Sequence, residues 1–340
     1  MPSQIQQSAM KAFMIVVALL GAVSANEELH AKWSSYKAAH GKSYEPEVEQ
    51  ARRQAFADNL RFIDEHNQKF ERGEVSYKLG LNELSDLTAE EIRTSKFGAL
   101  SKPLLASELN ATDLEMMPSA GYVDWRGRAV SPVKDQLRCG SCYSFAAVGA
   151  LESTLMRKGC GQVDLSEQDL LDCTYRRYFE GQANLGCHGG DLGITLRHGI
   201  SNGVALESNY RYFSGITHQV GACSRADRVN LRGLSLFRVN AGNEALLASA
   251  LERGPVAVCL NGENEEFYNY AGGVYDNPHC STAPNHVVLL VGYGRDARTN
   301  KEFWLIKNSW GSSWGERGFM RLAKGANRCG IVSWDSYLVD

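Results

Sequence analysis

The chain has 340 residues, with 44% hydrophobic and 22% charged side chains, a globular balance that excludes wholesale disorder and a collagen-like fibre. Its formal charge of −3 divides into +1 over residues 1–25, −5 over 26–117 and +1 over 118–340, so no segment has the positive excess that nucleic-acid binding requires. The cysteines number nine, so at least one thiol stays unpaired however the rest combine.

In chain order, the first predicted element is an address. After Lys11 an apolar run over 12–22 ends in Val23-Ser24-Ala25, the small-residue pattern that precedes cleavage of a secretory signal peptide. The run is about half of the ~20 residues a membrane-spanning helix needs, and no later stretch reaches that length. The processed protein is therefore expected to leave the membrane and meet an oxidising route, where cysteines pair. Residues 26–100 carry helical periodicity over 27–40 and 47–72, with Phe56, Leu60, Ile63 and Asn67 on one face of the second helix. Residues 99–117 lose that periodicity and read as a linker. It holds the sequon Asn110-Ala111-Thr112, a glycosylation acceptor or simply an unmodified loop.

From Pro118 the texture changes to short apolar strands broken by glycine. A helix is predicted over 141–156, with Phe145, Val148, Leu151 and Leu155 on one face. Strands are predicted over 256–260, 287–291, 303–307 and 319–322, and turns at 292–294 and 315–318. Helices followed by strands predict an α+β protein with two packed subdomains. All nine cysteines lie in this part, between Cys139 and Cys329.

Cys139-Gly140-Ser141-Cys142 admits three readings. It could be half of a zinc site, but no second C-x-x-C or H-x3-H follows at the usual spacing. It could be a redox pair, but the βαβ context is absent. In the third reading Cys142 is a nucleophile at a helix start, where backbone N–H groups favour the thiolate, and Cys139 is a structural half-cystine. A thiolate needs a base. His286 opens the apolar run 287–291 and so belongs at a buried strand end. Alone it reads as a core histidine; with Cys142 and Asn308-Ser309-Trp310-Gly311 it reads as catalytic.

These motifs resemble the papain-like cysteine peptidases of the cathepsin L type. The carriers are Cys139-Gly140-Ser141-Cys142-Tyr143, with His286 and Asn308 lying 144 and 166 residues beyond Cys142. Further matches are Gln136, Asp124-Trp125-Arg126, Cys187-His188-Gly189-Gly190 and the run from Asn308 to Gly315. The amino-terminal half is similar to the family's prosegment. Arg52, Phe56, Asn59, Ile63 and Asn67 meet its long helix motif, although Val48 stands where the motif's leading Glu belongs. Gly80, Asn82 and Asp86 meet its second motif, with Leu84 in place of Phe.

The resemblance implies a helical inhibitory propeptide over 26–117, removed near Met116–Pro118, and a peptidase over 118–340. The fold it implies is a helical subdomain against a β-barrel-like one. Cys142 and His286 are expected as a thiolate–imidazolium pair, Gln136 at the oxyanion, and Asn308 orienting the imidazole under Trp310. Gly189 and Gly190 would line the substrate backbone. The pocket for the second residue before the scissile bond would be formed by Asp191, Leu192, Cys259, Pro284, Val287 and Trp334. Trp334 and Val287 should make that pocket shallow, suited to small or β-branched side chains, with Asp191 turned outward into solvent. Leu137 stands beside the oxyanion position where relatives carry Gly. Implied disulfides are Cys139–Cys187, Cys173–Cys223 and Cys280–Cys329. Cys160 and Cys259 stay unassigned, Cys259 reading as a buried thiol and a Cys160–Cys259 bridge as the alternative.

No metal or cofactor is implied. Partners are polypeptide substrates and the chain's own propeptide, in a monomer that binds neither nucleic acid nor membrane and works in a lysosome, a digestive lumen or outside the cell. The −5 prosegment against a +1 peptidase suggests that prosegment carboxylates hold the two together and release them in acid. Two other readings stay open: a dipeptidyl exopeptidase of the same family, as Tyr143 would allow, and a catalytically silent peptide-binding relative.

Overall fold

The computed structural model describes residues 26–99, 112–116, 121–176, 178, 179, 182–223 and 226–340. The expected signal segment, Asn110 and most of the expected linker lie outside the described residues. The described residues divide into two compact units, 26–62 with 85–87, and 63–84 with 88–340.

The first unit holds helix α1 (26–39) and the first part of helix α2 (Pro46–Glu71). Trp33, Tyr36 and Phe56 form its buried aromatic cluster, with the Tyr36 and Phe56 rings 4.9 Å apart. Asp86 is fully buried and accepts from Tyr36 at 3.1 Å, from Tyr44 and from Lys42. The Asn59 amide donates to the carbonyls of Ser85 and Leu87 at 3.0 and 3.2 Å, and Arg52 donates to that of Asp86 at 3.3 Å. The polar residues of the two prosegment motifs thus bond to each other, because a buried carboxylate and buried carbonyls must be partnered.

In the second unit, Asn67 on α2 brackets Leu79, donating to its carbonyl and accepting from its N–H, both at 2.9 Å. This fixes strand β1 (Tyr77–Leu79). Helix α3 (Ala89–Lys96) follows, opened by a Thr88/Glu91 capping box. Then come β2 (Val123–Asp124), α4 (Cys142–Arg157) and α5 (Leu192–Asn202). The remaining strands used below are β3 (Val256–Leu260), β4 (Tyr270–Tyr275), β5 (His286–Arg295), β6 (Glu302–Lys307), β7 (Phe319–Ala323) and β8 (Ser336–Val339). They join a ten-stranded sheet ordered β1-β4-β7-β6-β5-β3-β8, extended by Leu236–Val239 and Thr112–Asp113, with β2 pairing on β5. This is the α+β architecture that the resemblance implies, with β1 of the expected prosegment on the sheet's edge.

Helix α4 is buried from Cys142 to Leu155 and lies on β5, so close that a Cβ on Gly149 would sit 3.1 Å from Leu289. Strand β5 is buried along its length except at Arg295, as an unbroken apolar run should be. It also corrects one expectation: residues 292–294 are strand, not turn. A Cβ on Gly292 would stand 2.2 Å from the Val123 carbonyl, so the glycine there marks the close approach of β2. At 315–318 the chain does turn, with both glycines at positive φ.

Candidate active site

Cys142 is the first residue of α4 and is fully buried. His286 is the first residue of β5, also fully buried, and its Nε2 lies 2.8 Å from Asn308 Oδ1. That bond leaves Nδ1 without a hydrogen-bond partner. The Trp310 ring covers the imidazole at 5.0 Å between centroids. Gln136 Nε2 donates to the carbonyls of Lys96 and Cys139 at 2.9 and 2.8 Å, while Ser309 Oγ holds its Oε1 at 2.7 Å. A side-chain amide aimed at a peptide carbonyl beside a thiol is the arrangement an oxyanion site requires.

The segment Lys96–Ala99 lies over this group. The Phe97 ring meets His286 and Trp310 edge-on at 5.7 and 5.9 Å. The Gly98 and Ala99 N–H groups donate to the Asn285 carbonyl, the Gly98 carbonyl accepts from Gly190 at 2.8 Å, and Ala99 pairs in parallel with Gly190. Gly98 has to be glycine, since a Cβ there would lie 1.8 Å from the Gly140 carbonyl oxygen. Sequence reasoning placed this stretch at the edge of a linker and missed Phe97, Gly98 and Asn285. The only signal was the isolated glycine after α3.

In this closed chain burial works against the expected thiolate–imidazolium pair. Burial pushes the Cys142 thiol up to about 12, against the backbone N–H groups of Val287, Gly98 and Tyr143. Burial likewise pulls His286 down to about 4 despite its bond to Asn308, and the Lys96 charge adds to the fall. Dehydration by the covering segment disfavours both charged forms.

Asp191 also departs from expectation. It is buried rather than solvated, because it caps α5 by accepting from the Ile194 N–H at 2.8 Å, and burial pushes its carboxyl up to about 6. Leu192, Cys259 and Val287 share one buried cluster with Cys142, against which Ala99 and Trp334 pack. Gly189 and Pro284 are buried too. Leu137 adopts φ +51°, a left-handed conformation costing a leucine about 1 kcal/mol more than a glycine. The disulfides are Cys139–Cys187, Cys173–Cys223 and Cys280–Cys329; Cys160 is free and exposed, Cys259 free and buried. The Cys160–Cys259 bridge is therefore not formed. Among the described residues, no group of three or more His, Cys, Asp or Glu could hold a metal ion.

Ion pairs within the second unit run in both directions: Asp113 of the expected prosegment meets Arg238 at 2.8 Å, as the charge split suggests, while three others are the other way round. On that other side, Arg93 and Lys96 of the expected prosegment face the carboxylates of Glu263 and Asp135 at 3.9 and 3.3 Å, and the His66 ring lies 3.7 Å from Glu266. Segment net charge hid this, because local pairing depends on which few charges reach the contact.

Residues 119–339 match the family described as papain family cysteine protease. The chain belongs to that family. Residues 33–92 match the cathepsin propeptide inhibitor domain, so this member of the papain family carries its own inhibitor. It is 36% identical over 327 residues to digestive cysteine proteinase 1 of Homarus americanus, covering 94% of this chain and 98% of that one. It is also 36% identical to cathepsin L of Sarcophaga peregrina, over 96% of this chain and 97% of the relative. Among papain-family structures, digestive procathepsin L 3 of Tenebrio molitor larval midgut superposes with a TM-score of 0.77 at 36% identity, over 91% of this chain and 98% of that one.

Proposed function

We propose that this papain-family peptidase is a secreted or lysosomal endopeptidase made as a zymogen, with a signal over 1–25, a propeptide over 26–117 and the enzyme over 118–340. The observation that carries the reading is the course of Lys96–Ala99. Entering from α3, Lys96–Ala99 lies over Cys142 with one carbonyl on Gln136 and one on Gly190. A cleft that accepts mid-chain peptide favours internal cleavage over removal of terminal dipeptides.

Once uncovered, Cys142 and His286 gain water and exchange a proton, each charge stabilising the other. The thiolate attacks the peptide carbonyl, and the Gln136 amide and the Cys142 N–H bind the developing oxyanion. His286 gives its proton to the leaving amine and then draws one from the water that hydrolyses the thioester. Asn308 holds the ring in position and Trp310 keeps solvent from their bond.

Acid release follows from Glu266. Burial raises its carboxyl, but the contacts with His66 and Tyr77 outweigh it and hold it below its usual range. Its grip is therefore present above that range and lost as pH falls from there through the lowered value. Uncovering passes a proton from Cys142 to His286 without taking one up, so that pair adds no pH dependence near neutrality. The test is an internally quenched peptide assay on purified proform. The expected result is latency at pH 7, activity after exposure to pH 4, and abolition by a thiol-alkylating epoxide. Equal latency at both pH values would contradict the release account, and release of dipeptides alone would favour the exopeptidase reading.

The small residue Ala99 packed against the Leu192, Cys259, Val287 and Trp334 group supports a shallow second pocket. Profiling on a peptide library is expected to favour Val, Thr or Ala over Phe two residues before the cut. A pocket too small for an aromatic ring excludes it at a cost of about 1–3 kcal/mol, or roughly 10- to 200-fold in rate. A clear preference for Phe or Leu would overturn it.

A further inference from the structure

Resting on that reading of the cleft, we propose that Asp135 selects a lysine or arginine side chain on the leaving-group side of the substrate, within two residues of the scissile bond. Asp135 pairs with Trp310 across an antiparallel bridge, and Trp310 lies over His286, the group that hands a proton to the departing amine. The carboxylate is held in place: Oδ1 accepts from the Leu137 N–H at 2.8 Å, and Oδ2 lies beside Gly311, where a Cβ would be 3.3 Å away. It thus faces the half of the cleft over which substrate residues after the cut must run.

The prosegment supplies a stand-in for such a side chain. Lys96 puts its carbonyl on Gln136 and its ammonium 3.3 Å from Asp135 Oδ1, and that lysine is buried. A buried ammonium needs a partner, and this carboxylate is the one in ion-pair contact with it, Glu83 adding attraction from further away. Two neighbouring cations do not replace it. Lys134 turns to Glu152, Asp164 and Glu167, and Arg138 is exposed. When the prosegment leaves, Asp135 loses its ammonium and a substrate cation can take the same place.

The experiment uses enzyme activated from the full chain and quenched peptides that differ only at the first or second residue after the cut: Lys, Arg, Gln or Glu. The expected result is a kcat/KM for Lys and Arg about fivefold above Gln at one of these positions, with Glu lowest, as a partly screened ion pair provides. The gap should shrink in high salt and disappear in Asp135→Asn. Equal rates for Lys and Gln, or the same gap in Asp135→Asn, would overturn the proposal. The salt series on the unaltered enzyme decides the matter if the variant does not fold. Failure to cleave any of the peptides would instead strike the peptidase reading on which the proposal rests.

Discussion

Replacing Cys142 by Ala is expected to abolish peptide hydrolysis, lowering kcat at least about 10³-fold, because no thioester can form without the sulfur. The fold should survive. Cys142 lies at the first turn of α4, where Ala has high helix propensity, and the three disulfides of the chain do not involve it. The cost should stay within about 1–2 kcal/mol, the loss of one small buried group. The same variant should remain uncut at pH 4 if maturation depends on its own chemistry. The readouts are the quenched-peptide rate after limited removal of the prosegment by an added protease, and the chain length after acid treatment. Residual activity within tenfold of the unaltered enzyme would remove Cys142 from the mechanism. A free Cys160 or Cys259 should not take its place, since one lies in solvent and the other is buried on β3 opposite Val287 rather than at the start of α4.

The motifs that are short and chemically constrained were legible in the chain. An apolar run opened by a histidine predicts a buried strand end, and β5 begins at His286 with its ring 2.8 Å from Asn308. The long helix of the prosegment and strands β3, β6 and β7 follow from periodicity to within a residue or so. What was hidden depends on tertiary approach. Gly292 looked like a turn because glycine permits both a turn and a close neighbour, and only the position of β2 distinguishes them. Asp191 looked like a surface carboxylate until α5 was seen to begin at the next residue. The dehydration that works against charge on Cys142 and His286 involves Phe97 and Gly98, residues with no catalytic signature of their own. The mixed direction of the prosegment's ion pairs has the same origin.

The central claim is that Cys142 is held as a buried neutral thiol by Lys96–Ala99 and becomes a thiolate when they leave. Alkylation by iodoacetamide, followed by mass mapping of each cysteine, tests it directly. With the thiol pushed up to about 12, the reactive thiolate is about one part in 10⁵ at pH 7, and burial excludes the reagent as well. After activation, pairing with His286 should bring the thiolate to a large fraction of the total, so the rate at Cys142 should rise by about 10³-fold or more. Exposed Cys160 is an internal standard that should react at the same rate in both states, and buried Cys259 should stay slow in both. The account predicts a large increase confined to Cys142 on activation. Equal and rapid labelling of Cys142 in the latent and activated chains would contradict it.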